Sequence, residues 1–444
     1  MSSTALQANH GSLSEALSEA RERYLERRPR TRALHEQAAR HLPGGNTRTV
    51  LYHEPVPIRM VRGWDAWLED ADGLHYLDLL GEYTAGLYGH SEPRIAAAIK
   101  ATLDDGLSFG AHNPHEAALA AAITARFPAV ERLRFTNSGT EGNLMALSCA
   151  RAFTGRERVL VFDGAYHGGL LYFGGGGSPV NAPYPVVLGT YNDAAGARSL
   201  IAEQGDALAA VLVEPMMGAG GCIPASRAFL QALQEATRET GALLIFDEVM
   251  TSRLGPGGLQ GELGLAPDMT TLGKYLGGGL SFGAFGGRAE IMALFDPAQP
   301  GALPHAGTFN NNVLSMAAGL AGLTEVFTPE AARALNARGD ALRQRLNALF
   351  ARSGTAFQAT GLGSLMSIHA TTAPIARPAD KAGADDEALA LLFFDLLEAG
   401  YYIARRGFIA LSLALTDEQL DGFATAVERF LEERAAVLPR AGQG

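Results

Sequence analysis

Short, strongly apolar segments alternate with amphipathic, helix-like segments through the middle of this 444-residue chain. The apolar segments are RLRFTNSG, RVLVFDG, AAVLVEP, ALLIFDEV and FGAFGGR, and the helical ones include TEGNLMALSCARAFTG and ASRAFLQALQEATRETG. Strands that are apolar along their whole length are typical of a parallel sheet with helices on both faces. The sequence therefore predicts an α/β fold, whose ligands bind at the C-terminal ends of the strands.

The pattern changes along the chain and predicts three segments. Residues 1–75 contain a helical repeat over about Ser14–Arg40, which stops at HLPGG, and a hairpin around Asp72–Gly73. Residues 76–325 hold the strand and helix alternation and form the predicted large domain. Residues 326–444 are mainly helical with a few short strands, and we expect them to form a smaller α+β domain together with the N-terminal segment.

Charge and cysteine content exclude several classes of protein. The net charge of −11 argues against nucleic-acid binding, which requires a basic face. Two cysteines, Cys149 and Cys222, are too few for a disulfide framework, and their spacing predicts no metal site. The N-terminal 30 residues lack an apolar core of signal-peptide length, and no run of about 18 apolar residues occurs. We therefore expect a cytoplasmic protein that binds neither a membrane nor nucleic acid.

Lysine is rare in this chain, and one of its lysines has an unusual setting. Of the 36 Lys and Arg residues, only Lys100, Lys274 and Lys381 are lysines. Lys100 ends a helix-like run and Lys381 lies in a polar stretch, so both are interpreted as solvated charges. Lys274 lies in TTLGKYLGGGLSFGAFGG, among glycines and small apolar residues. Burial lowers the pKa of a lysine amine, and the neutral amine is a nucleophile.

Polar residues follow several of the predicted strands. Asp247 and Glu248 end the run GALLIFDEVM, where a buried carboxylate requires a partner of opposite charge. Ser138, Gly139 and Thr140 lie between a strand and a helix, where free backbone N–H groups and the helix dipole favour a phosphate. The same pattern also fits an ordinary capping box, so both interpretations stay open at this point.

Two more predicted strands are followed by candidate site residues. The segment YHGG adds Tyr166, an aromatic residue placed to stack on a flat ring, and Glu214 ends the run LVEP. A phosphate cradle, a stacking ring, the buried Asp247 and Lys274 together fit pyridoxal 5′-phosphate (PLP). Lys274 would form the Schiff base, and Asp247 would pair with the pyridinium nitrogen so that the ring accepts electrons from the substrate carbon.

Six segments, in this order and spacing, resemble the fold type I, class III aminotransferases, with the glutamate-1-semialdehyde aminomutase branch nearest: FTNSGTEGNLMAL, YHGG, AVLVEPMMGAGG, LLIFDEVMTSR, TTLGKYLGGG and HAGTFNNN. The resemblance covers about Leu42 to Leu415. It implies a mainly parallel, seven-stranded sheet and these cofactor-binding residues: Ser138, Gly139, Thr140, Tyr166, Glu214, Asp247, Val249, Lys274 and Thr308. Tyr166 and Val249 would pack on opposite ring faces, and Thr308 would reach the phosphate of the neighbouring subunit in a homodimer with shared sites.

Within that branch, PGGNTRTVLY, LLGEYTAGLYGHSEP, GTFNNN and RRGFIALSLALT resemble β-phenylalanine and related β-amino-acid aminotransferases. The resemblance implies that Arg48 holds the substrate carboxylate, that Arg406 helps to bind an acidic acceptor, and that Glu82 and Tyr83 lie near the entrance. We therefore predict transfer of an amino group from a 3-amino-3-arylpropanoate to 2-oxoglutarate or pyruvate, in a ping-pong cycle through the pyridoxamine form. Lys274 would move the proton as general base and acid.

Other functions stay open at this point. A glutamate-1-semialdehyde aminomutase would keep the amino group on one molecule, but this chain has GTFNNNVL and SFGAFGG where aminomutases usually carry GTLSGNP-like and PVGAYGG segments. A serine hydrolase is suggested by GLSFG at Gly106–Gly110 and again at Gly279–Gly283, although neither copy joins a clear strand to a helix. The sequence leaves open the donor, its enantiomer, the acceptor, and whether Arg405 or Arg406 faces the site.

Overall fold

A computed structural model describes residues 11–442; residues 1–10 of the predicted segment 1–75, and residues 443–444, lie outside the described residues. The strands are β1 Met60–Trp64, β2 Trp67–Asp70, β3 His75–Asp78, β4 Arg132–Thr136, β5 Arg158–Phe162, β6 Val186–Gly189, β7 Leu208–Val213, β8 Met216–Met217, β9 Ile223–Pro224, β10 Leu243–Asp247, β11 Met269–Gly273, β12 Gly283–Gly287, β13 Gln358–Leu362, β14 Leu365–His369, β15 Tyr401–Tyr402 and β16 Phe408–Ala410.

The helices are α1 Leu13–Glu26, α2 Pro29–Ala39, α3 Pro93–Asp105, α4 Pro114–Arg126, α5 Gly139–Thr154, α6 Ala194–Gln204, α7 Arg227–Thr240, α8 Gly258–Leu263, α9 Ala289–Met292, α10 Val313–Ala321, α11 Pro329–Ser353, α12 Asp386–Glu398 and α13 Asp417–Glu433. Short 3-10 turns and one π-helical turn, Gly322–Val326, connect some of them. Within residues 11–442, no helix is long and apolar enough to cross a membrane.

The central sheet has seven strands in the order β4-β12-β11-β10-β7-β5-β6. Pairing is parallel from β11 through β10, β7 and β5 to β6, whereas β12 runs antiparallel to both β11 and β4. Every residue of β7, β10, β11 and β12 is buried, which explains the long apolar runs of β7 and β10. The predicted α/β class with a mainly parallel, seven-stranded sheet is confirmed, and β12 is its one reversed strand among the described residues.

The ends of α5 and α7, two helices that pack on the sheet, follow local sequence signals. Ser138 is the N-cap of α5, and its side chain accepts a hydrogen bond from the Glu141 N–H. Gly155 and Gly241 end α5 and α7 in the left-handed conformation, with φ of 68° and 72°. Gly241 is where the sequence predicts that helix to stop.

The N-terminal helical repeat forms two helices, so the prediction of one helix over Ser14–Arg40 is wrong. Pro29 is the first residue of α2, and a proline disfavours helical geometry in the residue before it, so α1 ends at Glu26. Helix α1 buries Leu17, Ala20 and Tyr24 and packs on α12 of the same chain.

The two ends of the chain meet in a four-stranded sheet, β1-β2-β3-β15. Strands β2 and β3 form the predicted hairpin, and β3 pairs in parallel with β15 from the C-terminal segment. The fully buried Arg28 reinforces this junction, with Nη1 3.0 Å from Glu398 Oε1 and Nε 3.4 Å from Asp70 Oδ2. This pairing supports grouping residues 1–75 with 326–444, although the exact boundaries stay a prediction.

Candidate active site

Five strands of the central sheet deliver the candidate site residues to one edge. Strands β4, β5, β7, β10 and β11 run in the same direction, so their C-terminal ends lie together. The residues at or just after these ends are Ser138, Tyr166, Glu214, Asp247 and Lys274. The clustering follows from the topology that the alternating sequence pattern predicts.

Lys274 follows β11 and begins a 3-10 turn, Lys274–Gly277. Its φ of 56° is left-handed, a conformation that costs an L-residue roughly 1–2 kcal/mol. The amine donates a hydrogen bond to the Tyr83 carbonyl. Burial lowers the pKa of Lys274 from 10.5 to about 8, while the Asp247 carboxylate opposes the shift. At pH 7 a lysine with that pKa is neutral in roughly one molecule in ten.

Asp247 ends β10 and is 5% exposed. Its Oδ2 accepts a hydrogen bond of 2.8 Å from Asn143 Nδ2 and lies 2.8 Å from His167 Nδ1, where a ring N–H donates to the carboxylate. The Val249 N–H donates to Oδ1 at 3.0 Å. Asn143 is fixed in turn, because its oxygen accepts a hydrogen bond of 2.7 Å from Thr271. Sequence reasoning missed Asn143 and Thr271, whose only signal is a polar side chain within an apolar segment.

Glu214 ends β7 and is almost fully buried. One carboxylate oxygen accepts a hydrogen bond of 3.1 Å from the Tyr166 N–H, and the other accepts one of 3.0 Å from the Gly218 N–H. Burial raises the pKa of Glu214 to about 7, which His167 opposes and Asp247 reinforces. Glu214 therefore connects the segment that carries Tyr166 to the turn between β8 and β9.

The start of α5 contains both features that the sequence left open. The capping interaction is present, because Ser138 Oγ accepts a hydrogen bond of 3.2 Å from the Glu141 N–H. The N–H groups of Gly139 and Thr140 belong to the first turn, where a helix offers no carbonyl partner, so they suit an anion. A Cβ on Gly139 would lie 2.7 Å from the Val249 side chain, so only glycine fits against that wall.

Tyr166 and Thr308 lie in more open surroundings. The Tyr166 side chain is 45% exposed and packs edge-to-face on Tyr172. Thr308 lies in an exposed turn before α10, next to Phe309, which is 60% exposed. Asn310 of the same turn accepts a hydrogen bond of 3.0 Å from Asn137, which precedes the α5 cap. The turn therefore lies beside the candidate phosphate segment.

The candidate substrate residues gather around Tyr83. Arg48 and Glu82 form an ion pair in which both side chains are about half exposed, at 46% and 54%. The Tyr83 ring stacks on Phe408, with centroids 5.4 Å apart, and its hydroxyl donates to the Val50 carbonyl. The Arg48 guanidinium lies 6.0 Å from the Tyr83 ring centroid. Because the Tyr83 carbonyl meets Lys274, this group is next to the lysine.

The adjacent Arg405 and Arg406 have different partners. Arg405 makes two hydrogen bonds to Asp386, of 2.9 and 2.6 Å. The Arg406 guanidinium lies 5.3 Å from the Tyr83 ring centroid, and its Nη1 donates to the Ala219 carbonyl at 3.0 Å. Arg406 is therefore the member of the pair that faces the Tyr83 side.

The turn that carries Glu82 and Tyr83 has an unusual backbone. Gly81, Glu82, Tyr83 and Thr84 have successive φ values of 52°, 47°, 50° and 83°. Left-handed conformations of non-glycine residues are strained and persist only where surrounding contacts impose them. Here the fully buried Arg253 donates to the Thr84 carbonyl at 3.5 Å and to the Leu411 carbonyl. In this conformation the Tyr83 carbonyl accepts the hydrogen bond from Lys274.

Neither GLSFG segment has the geometry of a nucleophile elbow. Residues 106–110 form a loop after α3, and residues 279–283 lead into β12. A nucleophile elbow joins a strand to a following helix, with the serine at the turn. The serine-hydrolase alternative is therefore wrong.

The seven-stranded, mainly parallel sheet, with a lysine and a buried aspartate at its C-terminal edge, defines a fold type I PLP enzyme. A family model described as aminotransferase class III matches residues 51–174 and 178–431. The chain belongs to the class III aminotransferase family. It is an aminotransferase, and PLP is the cofactor of this family.

Individual relatives match over nearly the whole chain. A β-phenylalanine transaminase from Variovorax paradoxus is 52% identical over 97% of this chain and 99% of its own length. The crystal structure of a β-phenylalanine aminotransferase from the same organism superposes with a TM-score of 0.96, at 52% identity, covering 97% of this chain and all of that chain. A glutamate-1-semialdehyde 2,1-aminomutase from Thermus thermophilus is 39% identical over 89% of this chain and 96% of its own.

Proposed function

We propose that this aminotransferase takes the amino group of a β-amino acid, such as 3-amino-3-phenylpropanoate, and passes it to 2-oxoglutarate or pyruvate. One observation carries the proposal: the guanidinium groups of Arg48 and Arg406 both lie at the Tyr83 ring. The Tyr83 carbonyl in turn accepts the hydrogen bond from Lys274, so both guanidinium groups are close to the lysine. The 52% identity to a β-phenylalanine transaminase over nearly the whole chain supports the same donor. Arginine pairs with a carboxylate through two parallel hydrogen bonds, so each guanidinium suits one carboxylate.

The chemistry of the donor set fits PLP, and Gly139 packs directly on Val249, so the start of α5 lies against the side chain proposed for one ring face. We infer the following roles: Lys274 as covalent anchor, Asp247 at the pyridine nitrogen, Ser138, Gly139 and Thr140 at the phosphate, Tyr166 and Val249 on the two ring faces, and Glu214 behind the segment that carries Tyr166. When bound, PLP supplies a carbonyl that takes up an amino group and a ring that accepts electrons from the substrate carbon.

The chain itself supplies the proton transfer. Lys274 Nζ has a pKa lowered to about 8 by burial, so its amine both accepts and returns a proton near neutral pH. The Tyr83 carbonyl accepts a hydrogen bond from that amine and fixes its direction. The three N–H groups around the Asp247 carboxylate keep its oxygens in place. Lys274 Nζ thus moves the proton, while the Asp247 carboxylate keeps its position.

Substrate binding requires an exchange of partners at Arg48. The Arg48 guanidinium is paired with Glu82 at a half-exposed position, so an incoming carboxylate competes with an ion pair of small net stability. Glu82 and Tyr83 together form the near wall of this entrance. Arg406 is proposed to receive the carboxylate of the acceptor, since Arg405 is already held by Asp386.

We also infer a homodimer in which Thr308 reaches the phosphate bound by the neighbouring subunit. The support from this chain is a group of exposed apolar side chains near the site edge, with Phe309 60% exposed and Leu107 and Phe109 each 48% exposed. Clustered apolar surface of this kind marks protein interfaces. Sedimentation of the purified protein tests this part, and a monomer that retains full activity would contradict it.

The test of the proposed function is the visible absorbance of the purified holoenzyme. Adding racemic 3-amino-3-phenylpropanoate without a keto acid should remove the cofactor band, and adding 2-oxoglutarate or pyruvate should restore it. A holoenzyme whose band does not respond to this donor would contradict the β-amino-acid assignment. A protein that interconverts glutamate 1-semialdehyde with no separate acceptor would instead be an aminomutase.

A further inference from the structure

A cavity of about 230 Å³ lies beside Arg406, on the wall where the β8–β9 turn meets β14 and the start of α12. Its lining includes Gly221, His369, Lys381, Asp385, Arg406 and Phe408. At about 30 Å³ per water molecule, this volume accommodates a carboxylate with several neighbouring atoms. The cavity adjoins the candidate site, because Phe408 stacks on Tyr83 and Gly218, also in the lining, donates to Glu214.

Lys381 reaches this cavity, so its interpretation as a solvated charge is wrong. Its side chain is only partly exposed and lies against Gly221, where a Cβ would be 3.1 Å from the lysine Nζ. Burial lowers the pKa of Lys381, and the charge of Arg406 lowers it further. Lys100, by contrast, is exposed on α3. No local pattern distinguishes the two lysines, since the contact with Gly221 joins residues 160 positions apart.

Lys381 and Arg406 bring two positive charges to the cavity, and among residues 11–442 neither has a carboxylate at ion-pair distance. The two acids of the lining, Asp385 and Asp386, have other partners. Asp386 pairs with Arg405 at 2.6 Å, and Asp385 accepts a hydrogen bond of 2.9 Å from the Ala388 N–H at the start of α12.

The remaining groups on this wall add no negative charge. His369 lies 3.1 Å from the Gly221 carbonyl and 2.8 Å from Thr360 Oγ1 through its Nε2, and its burial lowers its pKa to about 4, so it is neutral at pH 7. Arg406 Nε is buried without a hydrogen-bond partner. Partly buried cations of like sign repel each other unless an anion lies between them. The lining thus holds two cations without an ion-pair partner among the described residues and one unfilled donor, Arg406 Nε, together with the hydrogen-bonded carboxylates of Asp385 and Asp386. Lys381 and Arg406 are therefore the groups in this cavity that an incoming carboxylate can pair with.

We propose that this cavity binds the distal carboxylate of a dicarboxylate amino acceptor between Lys381 and Arg406. Lys381 is then a residue that determines acceptor specificity and favours 2-oxoglutarate over pyruvate, which lacks the second carboxylate. The inference rests on the proposed function for its substrate class. It assigns Lys381, and not Arg406 alone, as the source of discrimination between the two acceptors.

The first test measures binding without turnover. The holoenzyme is mixed with glutarate, butyrate or inorganic phosphate at constant ionic strength, and its Tm is recorded for the wild type, Lys381→Gln and the control Lys100→Gln. We expect glutarate to raise the Tm of the wild type and the control more than butyrate does, and Lys381→Gln to lose that difference. Equal glutarate responses in all three proteins would overturn the proposal. A phosphate response as large as that of glutarate, and equally dependent on Lys381, would mean a general anion site and would also overturn it.

The second test separates the acceptor from the donor. Lys381→Gln should raise the KM for 2-oxoglutarate roughly tenfold, leave the KM for pyruvate within about twofold, and be partly rescued by Lys381→Arg. A parallel rise in both KM values would overturn the assignment. Bleaching of the cofactor band by the β-amino acid alone does not involve this cavity. Its failure in the wild type would remove the proposed donor, while the glutarate measurement would still decide the role of Lys381.

Discussion

Asp247 and Arg48 are charged residues of the same candidate site, but their surroundings differ. Asp247 is 5% exposed, and its two oxygens are held by Asn143, His167 and the Val249 N–H. Arg48 is about half exposed and has Glu82 as its ion-pair partner. The first arrangement is fixed before any ligand arrives, as an electron-sink cofactor requires. Under the proposed function, a substrate carboxylate would replace Glu82 as the partner of Arg48, and the second arrangement would serve the entry and exit of substrates.

Asp247→Asn gives the strictest test of the fixed arrangement around Asp247. An amide in place of the carboxylate removes the charge that His167 and Asn143 surround, so we expect kcat to fall about a thousandfold with the cofactor still bound. Single-turnover bleaching of the cofactor band by the β-amino acid measures this rate. Asp206→Asn, at a side chain that is 99% exposed, is the matched control and should leave the rate unchanged. A tenfold effect or less would show that Asp247 is not at the pyridine nitrogen.

Arg48→Gln tests the arrangement in which a substrate carboxylate would replace Glu82 as the partner of Arg48. Loss of a charge-assisted pair with the substrate carboxylate costs about 2 kcal/mol, so we expect the KM for the β-amino acid to rise roughly thirtyfold while kcat changes little. Steady-state kinetics at saturating acceptor measure both constants. Arg405→Gln is the control, because that arginine is paired with Asp386 and not with a group of the proposed donor site. Equal effects of the two substitutions would contradict the assigned role of Arg48.

Glu82→Gln tests the other partner of the Arg48 ion pair. If Glu82 competes with the substrate for Arg48, its neutral variant should lower the KM for the donor about threefold, the effect expected for an exposed ion pair. The double variant with Arg48→Gln provides the control, since Glu82 then has no guanidinium to occupy and its substitution should have no effect on KM. A raised KM in the single variant would mean that Glu82 supports binding instead of opposing it.

The smallest effect is expected in the pH dependence of stability at Glu214. Burial raises the pKa of this carboxyl from 4.5 to about 7, so its contribution is fully present below about pH 4.5 and is lost as the pH rises through 7. The Glu214→Gln side chain cannot ionise. The Tm of the variant relative to the wild type should therefore increase by about 2–5 °C as the pH is raised from 4.5 to 7.5. Calorimetry on the cofactor-free proteins measures this. A difference in Tm that does not change with pH would contradict the raised pKa.

The sequence predicted the candidate cofactor residues at the strand ends better than the residues that hold Asp247 in place. Lys274, Asp247 and Glu214 follow apolar strands, and parallel pairing brings the ends of such strands together. Asn143 and Thr271 were missed because a polar side chain within a helix or a strand does not show its partner, and only the folded structure places them beside Asp247.

Long-range contacts account for most of the remaining errors. The turn Gly81–Thr84 is held by Arg253, which is 169 residues from Thr84, and no local signal predicts three consecutive left-handed residues without glycine. Lys381 was misinterpreted for the same reason, because its neighbour Gly221 is far away in sequence. The break at Pro29 was different, since a proline within the helical repeat is a local signal for two helices.

The backbone of Gly81–Thr84 also bears on attempts to engineer this enzyme. Glu82, Tyr83 and Thr84 occupy conformations that glycine adopts without strain, so glycine at these positions removes a local cost of folding. A library screened only for heat resistance would therefore enrich changes in the turn that holds Lys274 and pairs with Arg48. Selection for robustness and selection for catalysis act in opposite directions on this short segment.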